Sequence, residues 1–125
     1  MWMVVKVQAT EALRGVLDEW KAGVDAHQPQ KVAALFAEDA IFQGLRPYSV
    51  GRDGVAKYYD SQPLGMMVAY RILETRRPTE ELVLGYVRAD FMFPDRATVN
   101  LNLGVLVART DGGWRILHYQ ASPAV

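Results

Sequence analysis

The 125-residue sequence contains no cysteine. This absence excludes disulfides, thiolate metal sites and cysteine nucleophiles, and it agrees with the reducing cytoplasm, where we expect the protein. An excess of charge of one sign is missing too, because 14 Lys and Arg balance 14 Asp and Glu to a formal net charge of +0. We therefore expect no nucleic-acid partner, since no positive field attracts a phosphate backbone.

Long apolar runs are also absent from the sequence. No run approaches the ~20 residues that a membrane-spanning helix requires, and apolar residues 1–7 contain Lys6 and precede no signal-peptide cleavage pattern. We expect no membrane partner and a soluble protein. Domains commonly contain about 100 to 150 residues, so one domain over residues 1–125 is expected. The neutral charge and the 50% hydrophobic content favour a homodimer.

The N-terminal part of the chain has the apolar spacing of an α-helix. Thr10 is a suitable N-cap, and Pro29 predicts that this helix ends near Ala26. One face of the helix carries the apolar residues Leu13, Val16, Leu17, Trp20 and Val24.

Two shorter helices are predicted after the first. Pro29 suits the first turn of the second helix, and Asp53 is a candidate N-cap for the third. A short strand, 40–43, and a loop, 44–51, separate them. The inward apolar positions are Val32, Leu35 and Phe36 in the second helix and Val55, Tyr58 and Tyr59 in the third.

Beyond residue 66 the apolar period changes to that of β-strands. The four predicted strands are 66–75, 81–93, 98–110 and 114–122. The last two flank Asp111, Gly112 and Gly113, whose glycines provide the positive φ of a tight hairpin. Helices followed by a strand meander predict an α+β fold, with the helices on one face of an antiparallel sheet.

The order of three segments resembles the nuclear transport factor 2-like, or cystatin-like, superfamily, and the resemblance covers essentially the whole chain. The segments are residues 35–40, 51–55 and 111–116, and the C-terminal pattern continues with His118 and Ser122. This pattern is most similar to the SgcJ/EcaC group and to the association domain of calcium/calmodulin-dependent protein kinase II. The resemblance implies a cone-shaped α+β barrel, in which a curved antiparallel or mixed sheet wraps around the long first helix. It also implies a pocket at one end and a dimer formed through the outer sheet face.

The ketosteroid isomerase-like members of this superfamily use an aspartate base, a tyrosine and an acid. The corresponding positions here hold Gly44, Trp20 and, approximately, Val105. Glycine and valine cannot transfer a proton, and tryptophan donates only through its indole nitrogen. We therefore exclude that mechanism.

Three polar residues remain as candidates for catalysis. His118 can act as an acid or a base near neutral pH, whereas hydrogen bonding within the sheet or at a subunit interface is the structural alternative. Arg88 and Asp90 lie on the same side of a predicted strand, and the resemblance to the kinase association domain suggests that Arg88 faces the pocket. The alternative places this side on the solvated outer face of the sheet.

Aromatic side chains are numerous enough to line an apolar pocket, although a small core needs such residues as well. Those predicted to bind substrate are Trp20, Phe42, Tyr48, Tyr59 and Tyr86. No cofactor or metal is expected, because phosphate-loop and dinucleotide motifs are missing and neither histidine has further ligands near it in the sequence.

We expect a small-molecule-binding protein whose pocket accepts an apolar or carbonyl-bearing ligand. A cofactor-independent isomerase, cyclase or dehydratase acting on such a molecule is one form of this hypothesis. The alternatives are a non-catalytic association module and a ligand carrier.

Overall fold

The computed structural model describes residues 2–124, which form three helices and six strands. The helices are α1 (Trp2–Asp25), α2 (Pro29–Ala33) and α3 (Arg52–Asp60). The strands are β1 (Phe36–Gln43), β2 (Ser49–Val50), β3 (Met67–Thr79), β4 (Leu82–Met92), β5 (Val99–Thr110) and β6 (Gly113–Pro123).

The strands form one open, mixed sheet in the order β2-β1-β6-β5-β4-β3. β6 pairs in parallel with β1 on one side and antiparallel with β5 on the other. The α+β fold with its long N-terminal helix is confirmed, and the sheet is mixed rather than wholly antiparallel. It does not close into a barrel, because β2 and β3 remain as edges.

The prediction that Thr10 caps α1 is wrong, because the helix already begins at Trp2. The Thr10 hydroxyl instead lies 3.0 Å from the hydroxyl of Thr75 on β3. This hydrogen bond satisfies the threonine within the helix and joins α1 to the sheet. The predicted end is nearly correct, since α1 ends at Asp25.

Other element boundaries also differ from the sequence-based prediction. β1 begins at Phe36, so Leu35 and Phe36 lie outside α2, and β2 forms within the predicted loop. Asp53 does not cap α3: the N-cap is Gly51, with φ of 94° and no side-chain cap bond. β3 continues to Thr79, through the segment predicted to separate two strands.

A β-bulge in β6 determines which of its side chains face α1. His118 pairs with Leu106 and Ile116 with Val107, so Leu117 is an extra residue between the two pairs. The inward-facing residues therefore change parity at the bulge. Ile116 and Tyr119 are both buried, although they are three residues apart.

The core lies between α1, α3 and the inner face of the sheet. Buried side chains from α1 pack against buried side chains from the strands. The largest fully buried side chains include Trp20, Tyr119, Phe36, Leu13, Leu17, Leu103 and Ile116. We call the space between the sheet and these helices the cone. Within residues 2–124, no helix is long and apolar enough to cross a membrane.

Candidate functional site

Aromatic rings fill the centre of the cone. Trp20 on α1 is 0% exposed, and Tyr59 on α3 and Tyr119 on β6 are also buried. The ring of Phe42 stacks on Tyr119 at a centroid distance of 4.9 Å, and the ring of Trp20 lies 6.1 Å from that of Tyr119. Together these four residues, here called the aromatic cluster, leave little free volume deep in the cone.

Hydrogen bonding joins the polar atoms of the aromatic cluster. Trp20 Nε1 donates to Tyr59 Oη at 3.0 Å. Burial raises the pKa of Tyr59 above its ordinary range, although the hydrogen bonds with Trp20 and Tyr119 act in the opposite direction. Burial and the neighbouring Tyr59 also raise the pKa of Tyr119. Both phenols are therefore neutral at physiological pH and can serve as hydrogen-bonding groups, not as bases.

The cone contains no buried acid or base beyond these phenols. Thr75 is the one other buried polar or charged residue among residues 2–124, and its hydroxyl already pairs with Thr10. Nor do the described residues bring together three His, Cys, Asp or Glu side chains that could hold a metal ion. Hydrogen bonding and apolar contact are thus the chemistry available inside the cone.

A small cavity of about 40 Å³, here called the mouth cavity, lies at one end of the cone. Its walls are mostly apolar, and the aromatic cluster contributes Tyr119. The lining residues are Leu45, Tyr58, Gln62, Met66, Phe91, Phe93, Val99, Leu101 and Tyr119.

Tyr58 forms the outer wall of the mouth cavity. Its hydroxyl accepts a hydrogen bond of 3.2 Å from the backbone N–H of Leu45, and its ring packs against Phe42 at 5.0 Å. A Cβ added to Gly44 would overlap the tip of this ring, so a glycine is needed where the loop after β1 passes Tyr58. The wall therefore depends on contacts between this loop and α3.

The three residues predicted to be catalytic lie on the outer face of the sheet, the face directed away from α1. Val87, Ala89 and Phe91 face the core, so the alternation of β4 directs Arg88 and Asp90 outward. Arg88 Nε lies 3.4 Å from Asp90 Oδ1. His118 pairs in register with Leu106, beyond the bulge, and its Nε2 lies 3.4 Å from Gln120 Oε1. None of the three lines the mouth cavity, and their outward positions correspond to the structural alternatives given above for these residues.

The predicted substrate-binding aromatics are divided between different places. Trp20, Phe42 and Tyr59 meet in the aromatic cluster, as residues that fill the cone. Tyr48 is 66% exposed in the loop before β2, and Tyr86 is 47% exposed on the outer face of β4. Neither of them contributes to the mouth cavity.

Sequence reasoning missed most residues that line the mouth cavity. Tyr119 was hidden by the bulge, because a regular strand would place it on the face opposite Ile116. Gln62 follows α3 in a segment without a periodic pattern, and Met66 is the first residue of a predicted strand. Phe91 and Leu101 are recognisable as inward positions of alternating strands, but alternation does not show which end of the cone they approach.

We expect the stability of the protein to fall at alkaline pH. Burial and the Asp18 carboxylate, which accepts its hydrogen bond, raise the pKa of Tyr70 to about 12. The unfolded phenol titrates near 10. The contribution of the Tyr70 phenol to the free energy of unfolding is therefore fully present below about pH 10. It is lost as the pH rises toward 12, because the phenol releases its proton at a lower pH in the unfolded chain than in the folded one.

Urea unfolding measured at intervals from about pH 8 to 11 tests this expectation. Tyr59 and Tyr119 have raised pKa values as well, so the wild-type protein should lose stability over the whole upper range. Tyr70→Phe should show a shallower decline. Identical pH profiles for the variant and the wild type would contradict the assignment of part of the decline to Tyr70.

Comparison with solved structures assigns the fold. A domain of unknown function from Nostoc punctiforme, with a cystatin-like fold, has a TM-score of 0.82 and 19% identity over 94% of this chain and 78% of its own. A protein from Thiobacillus denitrificans, provisionally named a calcium/calmodulin-dependent protein kinase type II association domain, has a TM-score of 0.76 and 17% identity over 90% of this chain and 94% of its own.

A ketosteroid isomerase-like protein from Erwinia carotovora atroseptica has a TM-score of 0.74 and 18% identity, over 92% of this chain and 95% of its own. No protein-family model matches the sequence, and no curated protein matches it significantly. The chain therefore has the nuclear transport factor 2-like, cystatin-like α+β fold. At these identities the similarity concerns the fold alone.

Proposed function

We propose that the protein binds a small, largely apolar molecule at the mouth cavity. The observation that carries the proposal is the apolar lining of this cavity, which also includes the polar side chain of Gln62. Binding sites for small molecules are typically apolar and contain a few polar groups that fix orientation. The Tyr119 phenol already donates to Tyr59. Gln62 also lines the cavity, and within residues 2–124 its amide nitrogen makes one hydrogen bond, to the Tyr58 carbonyl at 3.4 Å, so this amide is the group that can donate to a carbonyl oxygen of the ligand.

The volume of the mouth cavity limits the size of this ligand. About 40 Å³ accommodates a group little larger than one water molecule, whose share of liquid volume is about 30 Å³. A ring-sized ligand must therefore displace part of the wall. Tyr58 is the suitable part, because it is half-buried and makes its hydroxyl hydrogen bond on the exposed side.

A thermal-shift series with ring ketones and their matched hydrocarbons tests the proposal. At ~100 times its dissociation constant, a ligand should raise the free energy of unfolding by about 2.7 kcal/mol. Ketones should bind more tightly than hydrocarbons of equal size, since the Gln62 amide contributes a hydrogen bond. The absence of any shift across the series would refute ligand binding at this site.

Val99→Phe should abolish the ligand-induced shift by filling the mouth cavity, because Val99 is half-buried in its lining. Val50→Phe is the matched control, since Val50 is 61% exposed on the edge strand β2. In the control, the ligand should raise the melting temperature by as much as it does in the wild type. A ligand that binds both variants equally would occupy another site.

Isomerase, cyclase or dehydratase chemistry has less support in this chain than binding alone. The cone offers neutral phenols in place of a buried acid or base, and His118, Arg88 and Asp90 lie on the outer face. Proton transfer requires a group whose pKa lies near the working pH and which reaches the substrate. We therefore propose a binding protein or carrier, and turnover of a bound ketone would overturn this choice.

We propose self-association through the outer face as a second function, and its surface chemistry favours this. Apolar side chains on β1 and β4 that are 44–47% exposed interrupt the polar residues of this face: Ile41, Leu84 and Tyr86. The polar residues, among them Asn100, Asn102 and Gln120, can exchange hydrogen bonds with a second copy. Mixed surfaces of this kind are typical of protein interfaces.

Sedimentation of Tyr86→Lys tests self-association, because a lysine there would be buried without a partner in a face-to-face dimer. The wild type should sediment as a dimer and this variant as a monomer. Tyr48→Lys is the control and should remain dimeric, since Tyr48 is exposed in the loop before β2 and not on one of the long strands of the sheet. A wild-type monomer at all concentrations would refute the proposal.

A further inference from the structure

The first two turns of α1 are apolar and exposed. Residues 2–8 are all exposed, and Ala9 is the first buried residue of the helix. Trp2 is 68% exposed and Met3 65%, and Val4, Val5 and Val7 are exposed as well. Contiguous apolar surface of this kind is typical of a binding site rather than of a free surface.

A groove of about 360 Å³, here called the α1 groove, lies between this end of α1 and the end of β3. Its volume falls in the range of about 300 to 1,000 Å³ that is usual for small-molecule sites. Helix α1 contributes Trp2, Val5, Lys6 and Ala9, and β3 contributes residues 75–78. The α1 groove shares no lining residue with the mouth cavity.

Positive charge borders the α1 groove. Arg76 is neutralised by Glu74 at 3.0 Å, but within residues 2–124 no carboxylate lies within 4.0 Å of the charged groups of Lys6 or Arg77. No acidic residue lines the groove. The complementary ligand is therefore an anion.

Arg77 is held in position by its own hydrogen bonds. Its guanidinium donates to the backbone carbonyl of Glu80 at 2.9 Å and to Gln8 Oε1 at 3.4 Å. Its Nε is buried and, among the described residues, has no hydrogen-bond partner. A carboxylate bound at this wall would gain a charge-assisted hydrogen bond from an arginine that is already ordered.

We propose that the α1 groove binds a medium-chain organic carboxylate. The acyl chain lies along Trp2, Val5 and Ala9, and the carboxylate reaches Lys6 and Arg77. The apolar floor alone would accept a neutral chain, and the two cations alone would accept a small anion, whereas their combination selects a molecule with both parts.

Calorimetric titration with decanoate, below its micelle concentration, tests the proposal. Decanol and acetate separate the contributions of the chain and the head group. Decanoate should bind, decanol should bind about tenfold more weakly through loss of the charged hydrogen bonds, and acetate should not bind measurably. A change in Trp2 fluorescence should accompany binding and be absent in Trp2→Phe.

The variants Lys6→Gln and Arg77→Gln locate the head group. Arg77→Gln should weaken decanoate binding about tenfold and Lys6→Gln a few-fold, because Arg77 is hydrogen-bonded in place whereas Lys6 is exposed. Lys31→Gln, on α2, is the matched control and should bind as the wild type does. Val99→Phe should also leave decanoate binding unchanged, which separates this site from the mouth cavity.

Three results would overturn the proposal. Equal affinity for decanol and decanoate would show that charge plays no part. Binding to phosphatidylglycerol vesicles without binding of decanoate would identify the apolar helix end as a membrane contact. Self-association that is lost in Val5→Glu, again without binding of decanoate, would identify a second copy as the occupant.

Discussion

Trp20→Ala is expected to lower the free energy of unfolding by about 3 to 5 kcal/mol, as large-to-small aromatic substitutions in cores do. Trp20 is 0% exposed, and its ring contacts Tyr70, Phe91 and Tyr119 at centroid distances of 6.0–6.5 Å. The substitution also removes the N–H that donates to Tyr59. Urea unfolding followed by circular dichroism measures the loss directly.

Indole should partly restore the stability of Trp20→Ala. The substitution creates a ring-sized apolar cavity that contains the free acceptor of Tyr59, and apolar cavities of this kind bind aromatic molecules. Trp114→Ala is the control, because Trp114 is half-buried at the sheet end, where Arg109 lies over its ring at 5.2 Å. This control should lose less than about 1 kcal/mol and should not respond to indole. If the two variants lost the same free energy of unfolding, packing inside the cone would contribute no more to stability than packing at the sheet end.

Gly85→Val is expected to destabilise the fold by about 1 to 3 kcal/mol or more through overpacking. Gly85 lies on the inner face of β4, opposite Val105, and even a Cβ at this position would overlap Leu13 Cδ2 on α1. Leu13 is 0% exposed, so it has no free space into which to move. Chemical denaturation of the purified variant measures the effect.

Gly104→Val is the matched control for Gly85→Val. Gly104 lies on the neighbouring strand but faces outward, where an added Cβ meets nothing within 4 Å. Its replacement should leave stability unchanged or raise it slightly, since valine favours a strand more than glycine does. If both substitutions destabilised equally, the assignment of inner and outer faces would be wrong.

The C-terminal hairpin was predictable because its signal is local. Thr110 and Gly113 pair across a two-residue connection, and Gly113 has φ of 104°. An aspartate followed by consecutive glycines predicts such a turn from the local sequence alone, whatever the rest of the fold. Alternation likewise identified β4 and β5 almost to the residue.

The start of α1 and the faces of β6 were not predictable in the same way. Residues 2–8 are apolar without helical period, because no core covers them, so the pattern begins only near Leu13. In β6 a single extra residue, Leu117, changes the parity of the strand, and no turn residue marks it. Compared with a regular strand in which Ile116 faces inward, Tyr119 and His118 therefore exchange faces, so Tyr119 lines the mouth cavity and His118 lies on the outer face.

The position of β6 in the sheet has a consequence for synthesis of the chain. Its neighbours are β5, which precedes it directly, and β1, whose Phe36 pairs with Ile116 across 80 residues. The ribosome therefore makes the two halves of the sheet before the strand that joins them. Until that strand emerges, β1 and β5 both have an unpaired edge, which is the kind of exposure that recruits other chains. Folding of the sheet as one unit must wait for β6, the last of its strands in chain order, and pairings this distant in sequence are slow to form.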